Sequence, residues 1–472
     1  MARIAVGLVV VVGILLTGGS RSVAGGPGAG DIAADTGAMP MAAVGSAPDL
    51  PPAPPATVRG GAGTASDRLA ADVVTGVEQF WREQFPVQFG RRWVNIHAFY
   101  AVDPGDATVP APCLRQPSEL ADQGLFCPRL DVVAWDRTGL LPRLRANYGD
   151  GAVLVALAHE IGHAVQDRLG IDAAAQVREP DRYPTILIEA MADCFAGVVV
   201  HAAVDGRIAN VQVGPDGLDR AMRALLTFRD PVGVAISRTA HGDAFDRASA
   251  FQDGYRNGAG TCAGMTVHNQ TFTQRGYSSL SDVMASGDLA LDDLVGSMGP
   301  DANSWFGNLV RSRGGNWRTP LATLLRPRRC DTPDLARQGP ARYCASTGAV
   351  TASAADLGRV HNGLGDYASA ELVASRYALA ALGALGRPVQ GPSAGRAAVC
   401  LTGAYTRSLL DRNADGGFGL SPGDIDEAVR ELLDQDFAAR DVTGQPPSGD
   451  RGFQRIEQFR AGALGGPAGC GV

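Results

Sequence analysis

The chain contains no lysine: all 42 basic side chains among its 472 residues are arginine, a coding-composition bias that carries no functional reading of its own. Basic groups are also outnumbered by 49 acidic ones, giving a formal net charge of −7 that argues against a nucleic-acid partner held on a basic face. Long apolar runs are scarce. The stretch "AVGLVVVVGILL" at residues 5–16 would reach about 18 Å as a helix, short of a bilayer core of roughly 30 Å. It reads instead as the core of an export signal, with Arg3 before it and the small residues of "SVA" ending at Ala24 after it. No cysteine follows the run, so a lipid anchor is not indicated. Strongly alternating strand patterns are few. Histidine is rare too, with seven in the whole chain, so a pair at ligand spacing carries weight.

What is present fits a globular, exported protein. Hydrophobic residues make up 45% of the chain, and the length suits two or three domains, each with its own core. Residues 1–24 are read as a signal peptide and residues 25–66, including "PDLPPAPPA", as a Gly/Ala/Pro-rich linker. The expected location is secreted or extracytoplasmic, with a membrane tether if the N-terminal segment stays uncleaved.

Eight cysteines, at 113, 127, 194, 262, 330, 344, 400 and 470, suit an oxidising compartment. Their spacing repeats: 14 residues separate Cys113 from Cys127 and Cys330 from Cys344, while 68 separate Cys194 from Cys262 and 70 separate Cys400 from Cys470. The segments between them agree in order. Residues 148–170 align without a gap to 364–386, "GPDGLDRAMRALL" (214–226) to "SPGDIDEAVRELL" (421–433), and Phe245, Arg247, Phe251, Gly254, Gly258 and Cys262 to Phe453, Arg455, Phe459, Gly462, Gly466 and Cys470. Similarity in order with small drifts at loops is the mark of a tandem duplication. The expected disulfides are Cys113–Cys127, Cys194–Cys262, Cys330–Cys344 and Cys400–Cys470.

Within the first copy, "LVALAHEIGHAVQ" (154–166) sets His159 and His163 four apart with Glu160 between them. Side chains one helical turn apart have Cβ atoms about 6 Å apart, so both imidazoles reach one ion at about 2.0 to 2.1 Å. In the second copy these three residues become Ser375, Arg376 and Leu379, while the apolar pattern around them persists. The fold needs an apolar helix here; it does not need the histidines.

A catalytic zinc also needs a third protein ligand and an open position. "ILIEAMADCFAG" (186–197) offers Glu189 and Asp193 on one face of a second apolar helix. Carboxylates there are costly unless paired or bound to metal. Both vanish from the second copy, where Gly395 and Val399 stand. Glu189 is assigned to the metal. Asp193 is assigned to a hydrogen bond that orients a ligand histidine, against the alternative of a simple ion-paired, helix-stabilising residue.

These segments, together with "EAMADCFAG" and "HGDAFDRASAFQDGYRNGAGTC" (241–262), resemble the putative neutral zinc metallopeptidases of bacteria, enzymes of the HExxH…ExxxD, gluzincin type. The resemblance covers roughly residues 70–265. It implies Zn2+ held by His159, His163 and Glu189, with Glu160 as general base for an attacking water. His241 matches the family's HG block and becomes Gly449 in the second copy. It is read either as a catalytic donor to the oxyanion or as a loop-fixing hydrogen bond. Tyr255 is a weaker candidate, and His97, His201, His268 and His361 lack ligand-like spacing.

The expected architecture is α+β and helix-dominated: a zincin-like metallopeptidase domain at 67–270, then a degenerate, non-catalytic copy at 285–472. "RRWVNIHAFYAV" (91–102) is expected to be the edge strand beside the metal helix. "DRNADGGFGLSPGD" (411–424) looks like an EF-hand loop, but Pro422 occupies the position of its last ligand, so a turn before a helix is the better reading. The expected function is hydrolysis of a peptide or protein substrate, with the second domain free to contact substrate or cell envelope; the oligomeric state stays open. The alternative is an envelope-associated binding or structural protein whose zinc only stabilises the fold.

Overall fold

The computed structural model describes residues 55–472 except 215, 237–239, 278, 286, 324–334 and 413–417. The signal peptide and most of the expected linker therefore lie outside the described residues, as does Cys330. Helices dominate, with two small sheets, so the fold is α+β as composition and periodicity predict.

The first half opens with β1 (Val58–Arg59) and α1 (Ala65–Phe89). Thr64 and Asp67 close a reciprocal capping box at the start of α1, satisfying backbone N–H groups that would otherwise be orphaned. Then follow β2 (Ala98–Val102), β3 (Gly124–Cys127), β4 (Val132–Asp136) and the helices α2 (Leu140–Tyr148), α3 (Asp150–Leu169), α4 (Ala173–Arg178), α5 (Thr185–Val204), α6 (Gly217–Leu226), α7 (Ala244–Asn257) and α8 (Ala259–Ala263). The sheet order is β1-β2-β4-β3, with β1, β2 and β4 parallel and β3 antiparallel to β4. The strand expected from residues 91–102 is thus shorter, β2, and lies inside the sheet. The edge beside α3 is β3.

After α9 (Leu280–Ala285) the second half runs α10 (Leu291–Ser312), β5 (Leu321–Thr323), β6 (Ala341–Cys344), β7 (Ala349–Ala352), α11 (Ala354–Leu364), α12 (Asp366–Ala384), α13 (Pro392–Leu410), α14 (Asp424–Asp434) and α15 (Gly452–Gly469). Its sheet has β7 between a parallel β5 and an antiparallel β6, the same senses that flank β4. Disulfides join Cys113 to Cys127, Cys194 to Cys262 and Cys400 to Cys470, and Cys344 is also disulfide-bonded.

α5 is long and apolar enough to cross a membrane, but most of it is buried in the protein. It runs between α3 and α7, so three helices bury one another's apolar faces. At Gly162 on α3, an added Cβ would stand 2.9 Å from the Ala192 carbonyl oxygen of α5, so glycine lets the two backbones approach.

The two halves share one continuous set of buried side chains. Contacts between them are reciprocal. Asp219 of α6 accepts the N–H groups of Gly452 and Phe453 at the start of α15, and Asp426 of α14 accepts the N–H of Ala244 at the start of α7. Phe245 meets Phe459 with ring centroids 6.1 Å apart, and Phe251 meets Phe453 at 6.5 Å.

Candidate metal centre

His159 and His163 lie one turn apart on α3, and Glu189 reaches them from the first turns of α5. Glu189 Oε2 is 3.3 Å from His159 Nε2 and Glu189 Oε1 is 3.7 Å from His163 Nε2. One ligand atom from each of the three lies within 4.8 Å of the others, a spacing suited to a single ion.

The outward nitrogens of both rings are fixed from behind. His159 Nδ1 lies 2.7 Å from Asp193 Oδ1, and the ionised carboxylate can only accept. His163 Nδ1 lies 2.9 Å from Gln166 Oε1. The Gln166 amide nitrogen donates to the Ile188 carbonyl at 2.6 Å, which turns its oxygen toward His163. Each Nδ1 is therefore the donor, which leaves each Nε2 on the side of Glu189, where a metal would be held. Two imidazole nitrogens and a carboxylate, each imidazole oriented from behind, are the donor set that zinc takes.

Asp193 is fully buried, and Arg247 of α7 holds it with two hydrogen bonds, Nη2 to Oδ1 at 2.7 Å and Nε to Oδ2 at 2.8 Å. Arg247 is in turn anchored to the Phe228 carbonyl at 2.7 Å. Burial by itself would raise the Asp193 carboxyl, but Arg247 and His159 overcome this and hold it below its ordinary value. Burial by itself would lower His159; the charge and hydrogen bond of Asp193, then Glu189, overcome that and raise it to about 10. Glu189 is likewise lowered, because His163 and His159 outweigh its burial. Such mutual shifts mark a tightly coupled charge cluster. Gln166 and Arg247 escaped the sequence reading as site residues. Arg247 lies among the quoted segments, but the residue aligned with it in the second half is also an arginine, Arg455, so coordinated loss did not flag it.

Glu160 faces the edge strand. A Cβ built on Gly124 of β3 would come within 3.1 Å of Glu160 Oε1, so any larger residue there would press on this carboxylate. Burial raises the Glu160 carboxyl above its ordinary range, against the pull of His159 and His163.

His241 precedes α7 and is half exposed. Its backbone N–H donates to Asp230 Oδ2 at 2.7 Å, and its Nδ1 lies 3.1 Å from Asp230 Oδ1. That bond, with help from Glu189, raises the imidazole above its ordinary value of 6.5. The Asp230 bonds fix the loop that carries His241. Tyr255 is elsewhere: it stacks on His201 with centroids 4.6 Å apart and packs on Phe453 of the second half. His97 and His268 are exposed, and His361 bonds the Leu289 carbonyl.

The corresponding place in the second half is filled. Arg376, at the position of Glu160, is 1% exposed and donates to the carbonyls of Phe437, Ala438 and Arg440 and to Gln338 Oε1. The turn at 437–439 presses on α13 where Glu189 would stand, for a Cβ at Gly395 would meet the Ala439 carbonyl oxygen at 2.0 Å.

No curated protein and no solved structure matches the chain. Residues 34–263, the part of the chain that builds this centre, match the model of the family described as putative neutral zinc metallopeptidase.

Proposed function

We propose that the chain is a secreted zinc peptidase whose first half carries the chemistry and whose second half is a catalytically silent tandem copy. The observation that carries the reading is the convergence of His159 Nε2, His163 Nε2 and Glu189, with Glu160 as a further carboxylate beside them that is not part of the ligand set. A zinc ion that only stabilises a fold needs no such base and usually has four protein ligands.

Zinc held by His159, His163 and Glu189 supplies, when bound, Lewis acidity toward a peptide carbonyl and a water. The chain does the rest. Glu160 takes the proton of the attacking water and passes it to the leaving amide nitrogen. Burial makes Glu160 a stronger base than an exposed carboxylate, which suits that transfer. Asp230 favours the protonated form of His241, leaving Nε2–H free to donate to the oxygen that gains charge. β3 is an edge strand with no further strand beyond it among the described residues, and an extended peptide laid along that edge would pass Glu160.

Duplication is supported by the matching strand senses, the matching disulfides Cys194–Cys262 and Cys400–Cys470, and the reciprocal capping by Asp219 and Asp426. Silence of the second copy is supported by buried Arg376, a cation standing in the place of the base. The domain limits 67–270 and 285–472 follow from the same correspondence.

The test is Glu160→Gln in the full chain. The variant should keep its zinc and its melting temperature while peptide hydrolysis falls by roughly 10²- to 10⁴-fold. Hydrolysis at the wild-type rate would return the protein to the binding reading.

A further inference from the structure

Asp288, Asp366 and Glu427 bring carboxylate oxygens within 4.8 Å of one another, far along the chain from the histidine centre. They come from three separate pieces: the loop entering α10, the first residue of α12 and the first turn of α14. Two are positioned by backbone donors. Leu289 N–H donates to Asp366 Oδ2 at 2.7 Å, and Tyr367 N–H donates to Glu427 Oε2 at 2.8 Å. These bonds fix the carboxylates without cancelling their charge.

One oxygen is left over. Asp366 is 3% exposed, and its Oδ1 has no hydrogen-bond partner among the described residues. A buried, unpaired carboxylate oxygen is costly, and like charges at this distance add to the cost. Burial and the surrounding acids push Asp366 up to about 6 and Glu427 up to about 8.

The first half shows the same junction neutralised. Asp150 opens α3 as Asp366 opens α12, and Arg145 Nε bonds Asp150 Oδ1 at 2.8 Å. Arg220, the counterpart of Glu427, stands close by: a Cβ at Gly149 would lie 3.8 Å from its Nε. In the second half the counterpart of Arg145 is His361, whose Nε2 is engaged by the Leu289 carbonyl at 2.8 Å. An arginine has thus been exchanged for a glutamate, and among the described residues no arginine is paired with Asp366 or Glu427.

We propose that Asp288, Asp366 and Glu427 bind a calcium ion that ties the 287–290 loop to α12 and α14. Three carboxylates without a thiolate or imidazole form a hard donor set, which selects oxygen-seeking cations over zinc. The loop is already seated, since a Cβ at Gly287 would touch Ser421 and Pro422 at 3.1 Å. Calcium bound here would supply the positive charge that arginine supplies in the first half. The EF-hand-like stretch ends beside this site, with Asp424 adding to the negative charge around Asp366 and Glu427, but none of the three proposed ligands belongs to it.

The experiment uses the full chain, freed of metal with a chelator and titrated with calcium chloride, read by calorimetry and by the melting temperature. The expected result is saturable binding of about one calcium, with the melt raised by about 5 °C at a hundredfold excess over Kd. His159→Ala should show the same binding, which separates this site from the zinc centre. Asp366→Asn, which keeps an acceptor for Leu289, should abolish binding. Asp288→Asn, an exposed change that leaves the core intact, should weaken it by at least about tenfold. No calcium binding by the wild type, undiminished binding in Asp288→Asn and Glu427→Gln, or loss of binding in His159→Ala would overturn the assignment.

Discussion

Asp193 accepts from His159 through one oxygen while Arg247 grips both, so its carboxylate is fully committed to aiming a ring. Replacing it by Asn should leave the chain folded but weaken zinc binding by about 10- to 100-fold, measured by competition with a chromogenic chelator. His241 gives a second prediction, on pH. Asp230 raises its imidazole above 6.5, so the protonated donor persists below that raised value and is lost as pH climbs through it. The alkaline limb of kcat/KM should therefore move to lower pH in Asp230→Asn; an unmoved limb would remove His241 from the chemistry. At this scale the sequence was informative wherever spacing alone carries the geometry. His159, Glu160 and His163 are related by the period of one helix and Glu189 and Asp193 by that of another, while the meeting of the two sets is tertiary. Gln166 was not legible, because its role depends on the direction of one amide, fixed by the Ile188 carbonyl across an interhelical gap.

Helices α3 and α5 cross where Gly162 meets the Ala192 carbonyl, so the spacing between the ligands is set by that contact. Gly162→Ala should cost about 1 to 3 kcal/mol of stability and loosen metal binding together, read by melting and zinc titration. On α1, Glu78 is buried, accepts from Ile96 N–H, and is raised from 4.5 to about 7 by burial. The folded chain therefore holds this proton more tightly than the unfolded chain, and stability falls as pH rises from 4.5 to about 7, on the order of 3 kcal/mol. Glu78→Gln should flatten that part of the curve of melting temperature against pH. Apolar helices could be read from periodicity, but the edge strand could not. Residues 91–102 carry the stronger β signal, whereas β3 is four residues long, and its place depends on pairing with β4 and on the Cys113–Cys127 bridge.

Across the whole molecule, cysteine spacing made the pairs Cys194–Cys262 and Cys400–Cys470 legible, but not the way the halves meet. Phe245 and Phe251 read equally well as residues of a private core, and only the assembled structure shows them against Phe459 and Phe453. Because that shared face is apolar and its helix starts are capped across it, residues 67–270 expressed alone should melt lower than the full chain and self-associate. Equal melting and a monomeric light-scattering mass would contradict the shared face. Whether α3 and α5 build a zinc centre is settled by elemental analysis of the full chain beside His163→Ala. About one zinc per wild-type chain and a near-complete loss in the variant are expected. Equal zinc in both proteins, or none in a wild type purified without chelators, would contradict such a centre.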